Sequence, residues 1–157
     1  MQQIVLFLWF DHQAEEAMNF YTSVFKNSTR GSISLYGDAG PGPKGTVMSV
    51  TFRINGQEFM ALNGGPAFTF SSAISFFVKC ETQQEVDELW EKLSEGGEEL
   101  QCGWLKDKFG VTWQIVPTIL GELLHDRDEK KAQNVMKAMM QMVKLDIATL
   151  QRAYAEE

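Results

Sequence analysis

The chain opens on Ile4-Val-Leu-Phe-Leu-Trp-Phe10, an unbroken apolar run rich in aromatics and too short for a helix, which predicts a strand buried on both faces. The period then changes. Ala14, Ala17, Met18, Tyr21 and Phe25 recur at three and four, with Glu15, Glu16 and Asn19 on the other side, so an amphipathic helix is expected over 13–25. Asp11 is the expected N-cap, and two acids in the first turn suit the positive end of the helix dipole. Three strand-like runs follow at 29–36, 46–54 and 57–63, the last two joined by Asn55-Gly56, a hairpin signal.

A second cycle repeats that order. An apolar strand over 73–80 leads into a helix over 82–94, with Thr82 as cap, Glu85 three residues on, Val86, Leu89, Trp90 and Leu93 on one stripe, and Gly96-Gly97 ending it. Strands over 99–105 and 110–117 follow. The expected fold is therefore α+β, two βαβββ modules at 3–63 and 73–117 within a single domain of 1–157, with a helical extension at 118–157. Over 122–157 the residues Val135, Met136, Met139, Met140, Val143, Ile147, Leu150 and Tyr154 form a broken apolar stripe, read as two helices divided near Lys144.

Composition narrows the function classes. With 157 residues, 44% apolar and 22% charged, the chain has room for one domain with a real core. No apolar run approaches the roughly 18 residues of a membrane span, and the apolar start lacks a basic region before it, so neither a membrane partner nor a signal peptide is expected. A formal charge of -7 without a basic stripe argues against a nucleic-acid partner. Two isolated cysteines, Cys80 and Cys102, fit a reducing compartment, and a cytoplasmic location is expected.

The stretch Ala14-Glu-Glu-Ala-Met-Asn-Phe-Tyr-Thr-Ser-Val-Phe25 resembles the first helix of glyoxalase and bleomycin-resistance proteins. Gly56-Gln-Glu-Phe-Met-Ala-Leu-Asn-Gly-Gly-Pro66 and Cys102-Gly-Trp-Leu-Lys-Asp-Lys-Phe-Gly-Val-Thr-Trp-Gln-Ile-Val-Pro117 are similar to the PhnB-like branch of that vicinal-oxygen-chelate superfamily, which carries the label 3-demethylubiquinone-9 3-methyltransferase. The resemblance runs from about residue 3 to 155, Met-rich tail included. It implies a cleft between curved sheets, a small-molecule ligand, a homodimer and, in glyoxalase-type members, a divalent metal held by His or Glu. Carried over by motif, the metal positions fall near Val5, at Ala61 or Asn63, at Ser75 and at Gln114, none of them an imidazole or a carboxylate. No metal or other cofactor is therefore expected to be held tightly.

Strand alternation adds an independent reading of the same cleft. If Ser75 and Gln114 face it, so do Phe77, Thr112 and Val116, joined by Phe7 and Trp9 from the first strand and Phe59 from the fourth, while Leu6, Leu8, Phe10, Ile74, Phe76, Val78, Trp113 and Ile115 meet the helices. The expected ligand-binding set is Phe7, Trp9, Phe59, Asn63, Ser75, Phe77 and Gln114. Aromatic walls with a few amides suit a small apolar ligand, although the same aromatics could simply pack the fold. The remaining features have plainer readings. Residues 37–46, glycine-rich but with Pro41 and Pro43 removing amide donors, form a long hairpin loop and not a phosphate loop; His12 and His125 are surface residues. Cys80 is a small buried hydrophobe, Cys102 a thiol with no base to activate it, and Lys106-Asp107-Lys108 a solvated turn. Small-molecule binding or sequestration is the leading expectation. Its rivals are a metal-assisted lyase, isomerase or dioxygenase, and a literal methyltransferase, which would need a glycine-rich turn between a strand and a helix.

Overall fold

The computed structural model describes residues 1–156, which divide into two compact units with the boundary between Phe70 and Ser71. In the first unit β1 (Leu6–Phe10), α1 (Ala14–Val24), β2 (Ser28–Leu35), β3 (Val47–Ile54) and β4 (Gln57–Asn63) give a four-stranded sheet of order β1-β4-β3-β2. The β1–β4 pair is parallel and the others antiparallel. Asn55 and Gly56 both take positive φ, 49° and 82°, which two-residue type I′ hairpin geometry requires, so β3 and β4 pair where that dipeptide predicts. The apolar stripe of α1 is buried: Ala14, Ala17, Met18, Tyr21 and Val24. Tyr21 meets Phe52 at 6.0 Å, and Phe52 in turn stacks on Phe59 at 5.1 Å.

Two expectations for this unit are corrected. β1 is buried on one face only: Leu8 and Phe10 are buried, whereas Phe7 on the other parity is 53% exposed. The N-cap of α1 is Gln13, not Asp11, and the cap contact comes from far away in sequence, because the Asn63 Oδ1 at the end of β4 accepts a hydrogen bond from the Ala14 amide at 2.8 Å. Asp11 lies two residues too early and stands 3.6 Å from the His12 Nδ1.

The second unit repeats the order with β5 (Phe76–Cys80), α2 (Gln83–Ser94), β6 (Glu98–Glu99), β7 (Trp104–Lys106) and β8 (Thr112–Pro117), in a sheet of order β5-β8-β7-β6. Thr82 caps α2 by accepting from the Glu85 amide at 3.2 Å, and Glu85 reaches back to accept from the Glu81 amide at 2.9 Å. Val86, Trp90 and Leu93 are buried beneath it. β5 starts later than its apolar run suggests. Residues 71–74 turn instead, leaving Ile74 75% exposed and not against a helix. Cys80 is buried, and burial followed by the nearby Glu85 pushes its thiol up to about 11, so it stays protonated and inert near neutrality.

The extension holds α3 (Thr118–Leu124), an additional helix that starts directly after Pro117, then α4 (Glu129–Met140) and α5 (Ile147–Ala155), the two helices expected on either side of Lys144. Leu120, Val135, Leu145 and Leu150 close over Val116 in one buried cluster. Val116 was expected beside Gln114 on an open face; the tail covers it. The tail is pinned through its α4–α5 connection, since the Cys102 and Gly103 amides donate to the Met142 and Val143 carbonyls, each at 2.8 Å. Gln83 at the start of α2 adds two more bonds, donating to the Leu145 carbonyl and accepting from the Ile147 amide.

Candidate functional site

Registers assign each expected site residue to a face. On β1 and β4, Leu6 stands beside Phe59, Leu8 beside Ala61 and Phe10 beside Asn63, and side-by-side residues of a parallel pair project to one side. Phe59, Ala61 and Asn63 therefore lie on the α1 face, while Phe7 and Trp9 lie on the opposite one. Phe59 and Phe7 were expected to share a face; the observed pairing places them apart. Phe59 is buried against Phe52, inside the unit's core. Trp9 donates its indole N–H to the Gly65 carbonyl at 2.9 Å and meets Phe68 edge-on at 5.0 Å.

In the second unit Gln114 stands between Phe77 on β5 and Trp104 on β7, a row of aromatic, amide and aromatic across three strands. Gln114 donates to the Ser75 hydroxyl at 2.9 Å, so those two do meet as strand parity predicts. Thr112 is on the same face but buried, sharing a hydrogen bond with the Ser72 hydroxyl at 2.9 Å. Trp104 was missed by sequence reasoning. Its signal was the hairpin at 107–111, which fixes Trp104 opposite Gln114 once the turn length is known.

The metal positions implied by the resemblance do not fit a metal. Ala61 is a fully buried methyl group, both ends of the Asn63 amide are engaged (Ala14 amide and, at 3.2 Å, Val47 carbonyl), and Ser75 and Gln114 bond each other. Among the described residues no group of three or more His, Cys, Asp or Glu side chains is close enough to hold an ion.

A different feature of the first unit has the dimensions of a binding site. The 37–46 loop folds back along its own hairpin, with the Tyr36 amide on the Thr46 carbonyl at 2.8 Å, and opposes the start of α1 and the Gly64-Gly65 turn. A hollow of about 550 Å³ lies between them. One wall is ionisable, Asp11, His12 and Glu15; the other is Tyr36, Pro41, Pro43 and Val47. Asn63 is the one member of the expected set that lines it. Gly40 and Gly42 lie so close to the Tyr36 ring that any side chain at either would collide with it, and the Tyr36 hydroxyl donates to the Asn63 carbonyl at 2.5 Å. Sequence reasoning left His12 and this loop as plain surface, because nothing local shows that ten loop residues will return to face a helix start.

The family model described as 3-demethylubiquinone-9 3-methyltransferase matches residues 2–116. The chain belongs to that family. Its match ends at residue 116, short of the 155 that the resemblance suggested, so α3 to α5 lie beyond the matched segment. The PhnB protein from Bacillus cereus is 46% identical, with a TM-score of 0.68 over 74% of this chain and 100% of that chain. A protein from Pseudomonas aeruginosa shares the fold at 23% identity, with a TM-score of 0.63 over 74% of this chain and 98% of that one. A glyoxalase-related enzyme from Fulvimarina pelagi is 17% identical, with a TM-score of 0.49 over 76% and 91% of the two chains. Family membership carries the vicinal-oxygen-chelate superfamily with it. Among curated proteins none matches. No helix among the described residues is long and apolar enough to cross a membrane.

Proposed function

We propose that this family member binds a small organic molecule without a tightly held metal, and that the hollow between the α1 start and the 37–46 loop receives it. The observation that carries the reading is the hollow's size together with its two-sided lining. Its volume of about 550 Å³ falls within the roughly 300–1,000 Å³ of small-molecule sites. One wall offers apolar area for affinity and the other a few polar groups for orientation. The family label names a methyl transfer, yet the links from β1 to α1 (Asp11 to Gln13) and from β5 to α2 (Glu81 and Thr82) contain no glycine, so the turn that cradles a nucleotide-like methyl donor has no counterpart.

The test is a melting-shift screen of small organic molecules against the intact protein and against Thr46→Trp, which fills the hollow from an exposed loop position. Ligands that raise the melting temperature of the parent and lose that effect in Thr46→Trp support the reading; hits insensitive to the substitution overturn the location. Elemental analysis of the purified protein checks the other half, since about one transition metal per chain would contradict it.

A further inference from the structure

Resting on that reading of the hollow, we propose that its ligand is a small organic cation, an ammonium group on a flat apolar body, with Glu15 and Asp11 receiving the charge. Hydrogen-bonding capacity around the cavity is unevenly used. Three side-chain donors on its lining are engaged: one N–H of the Asn63 amide donates to the Val47 carbonyl at 3.2 Å, the Tyr36 hydroxyl to the Asn63 carbonyl at 2.5 Å and the Thr46 hydroxyl to the Pro43 carbonyl at 2.6 Å. Two neutral acceptors each hold one partner already, the Asn63 Oδ1 the Ala14 amide and the Gly65 carbonyl the Trp9 indole.

The charged groups left on the lining are carboxylates. The Glu15 side chain is half-buried and makes no hydrogen bond or ion pair with the described residues, and the Asp11 carboxylate has only the His12 ring 3.6 Å away. No Lys or Arg lines the cavity, and the nearby Lys44 is turned to Asp38 at 3.0 Å. A ligand with an acceptor or an anion would find no cationic Lys or Arg, only the exposed imidazole of His12 and the second N–H of the Asn63 amide; a ligand with N–H donors and positive charge meets two acids. Opposite them Pro41, Pro43 and Val47 offer apolar surface, which suits the body of an arylalkylamine.

Three probes of one shape separate charge from fit: tryptamine, the neutral alcohol tryptophol, and the anion indole-3-acetate, each titrated calorimetrically into the parent protein, Glu15→Gln and Thr46→Trp. The expected order is tryptamine tightest by about tenfold or more over tryptophol, as a charge-assisted hydrogen bond supplies, with indole-3-acetate weakest. Glu15→Gln should remove most of tryptamine's advantage over tryptophol, Asp11 retaining the rest, and leave tryptophol unchanged. Equal binding of all three, lost in Thr46→Trp, overturns the cation while leaving the hollow as a site. Binding unaffected by Thr46→Trp, or no binding of any probe at millimolar concentration, overturns both.

Discussion

Asp107 carries more of the second unit than its place between two lysines suggests. Its Oδ1 accepts from the Phe109 and Val111 amides at 2.9 and 3.1 Å, and its Oδ2 from the Trp113 indole at 2.9 Å, with the residue 2% exposed. The sequence reading of a solvated turn fails here because a short charged side chain in a turn can fold inward whenever backbone amides converge on it. Leaving a buried donor without its acceptor costs about 1–3 kcal/mol. Asp107→Ala, which deprives three donors at once, should therefore lower stability by about 3 kcal/mol or more in urea denaturation, and Asp107→Asn, which keeps one acceptor oxygen, by less. Equal stability of Asp107→Ala and the parent would contradict this account of the turn.

Between elements the decisive contact is the close approach of the tail to the entry of β7. Gly103 has φ of +86°, and a side-chain carbon there would stand 2.8 Å from the Leu145 Cδ1 and 3.1 Å from the Ile115 carbonyl oxygen. Gly103→Ala combines left-handed strain of roughly 1–2 kcal/mol with that collision. It should weaken tail docking, seen as faster hydrogen exchange at residues 141–147 with α1 unchanged. The same contact marks where sequence reading ran out. Element order, the type I′ turn and the Thr82 cap are local, set by residues a few positions apart, and were legible. Asn63 capping α1, Gly103 admitting Leu145 and the split of Phe59 from Phe7 depend on partners or registers many residues away, and alternation along one strand cannot supply a register between two.

For the molecule as a whole, the family-matched segment and the folded unit do not coincide. The match stops at residue 116, yet Val116 at that very edge is buried by residues that come later. Leu120, Val135, Leu145 and Leu150 are each at most 6% exposed. At about 1.5–3 kcal/mol for each buried aliphatic side chain, an upper estimate, the four contribute roughly 6–12 kcal/mol. That is comparable to the whole stability of a typical domain, about 5–15 kcal/mol. α3 to α5 are thus part of the second unit's core and not an appendage to it, although only their apolar stripe, and not its destination, could be read from the sequence. A chain ended at Pro117 should lose the near-ultraviolet circular dichroism of buried Trp90 and Trp113, bind a hydrophobic dye, and melt without a cooperative transition. A shortened chain that keeps a sharp melt at the parent's temperature would show that β5 to β8 and α2 carry that unit alone, and that the cluster over Val116 contributes far less than its burial implies.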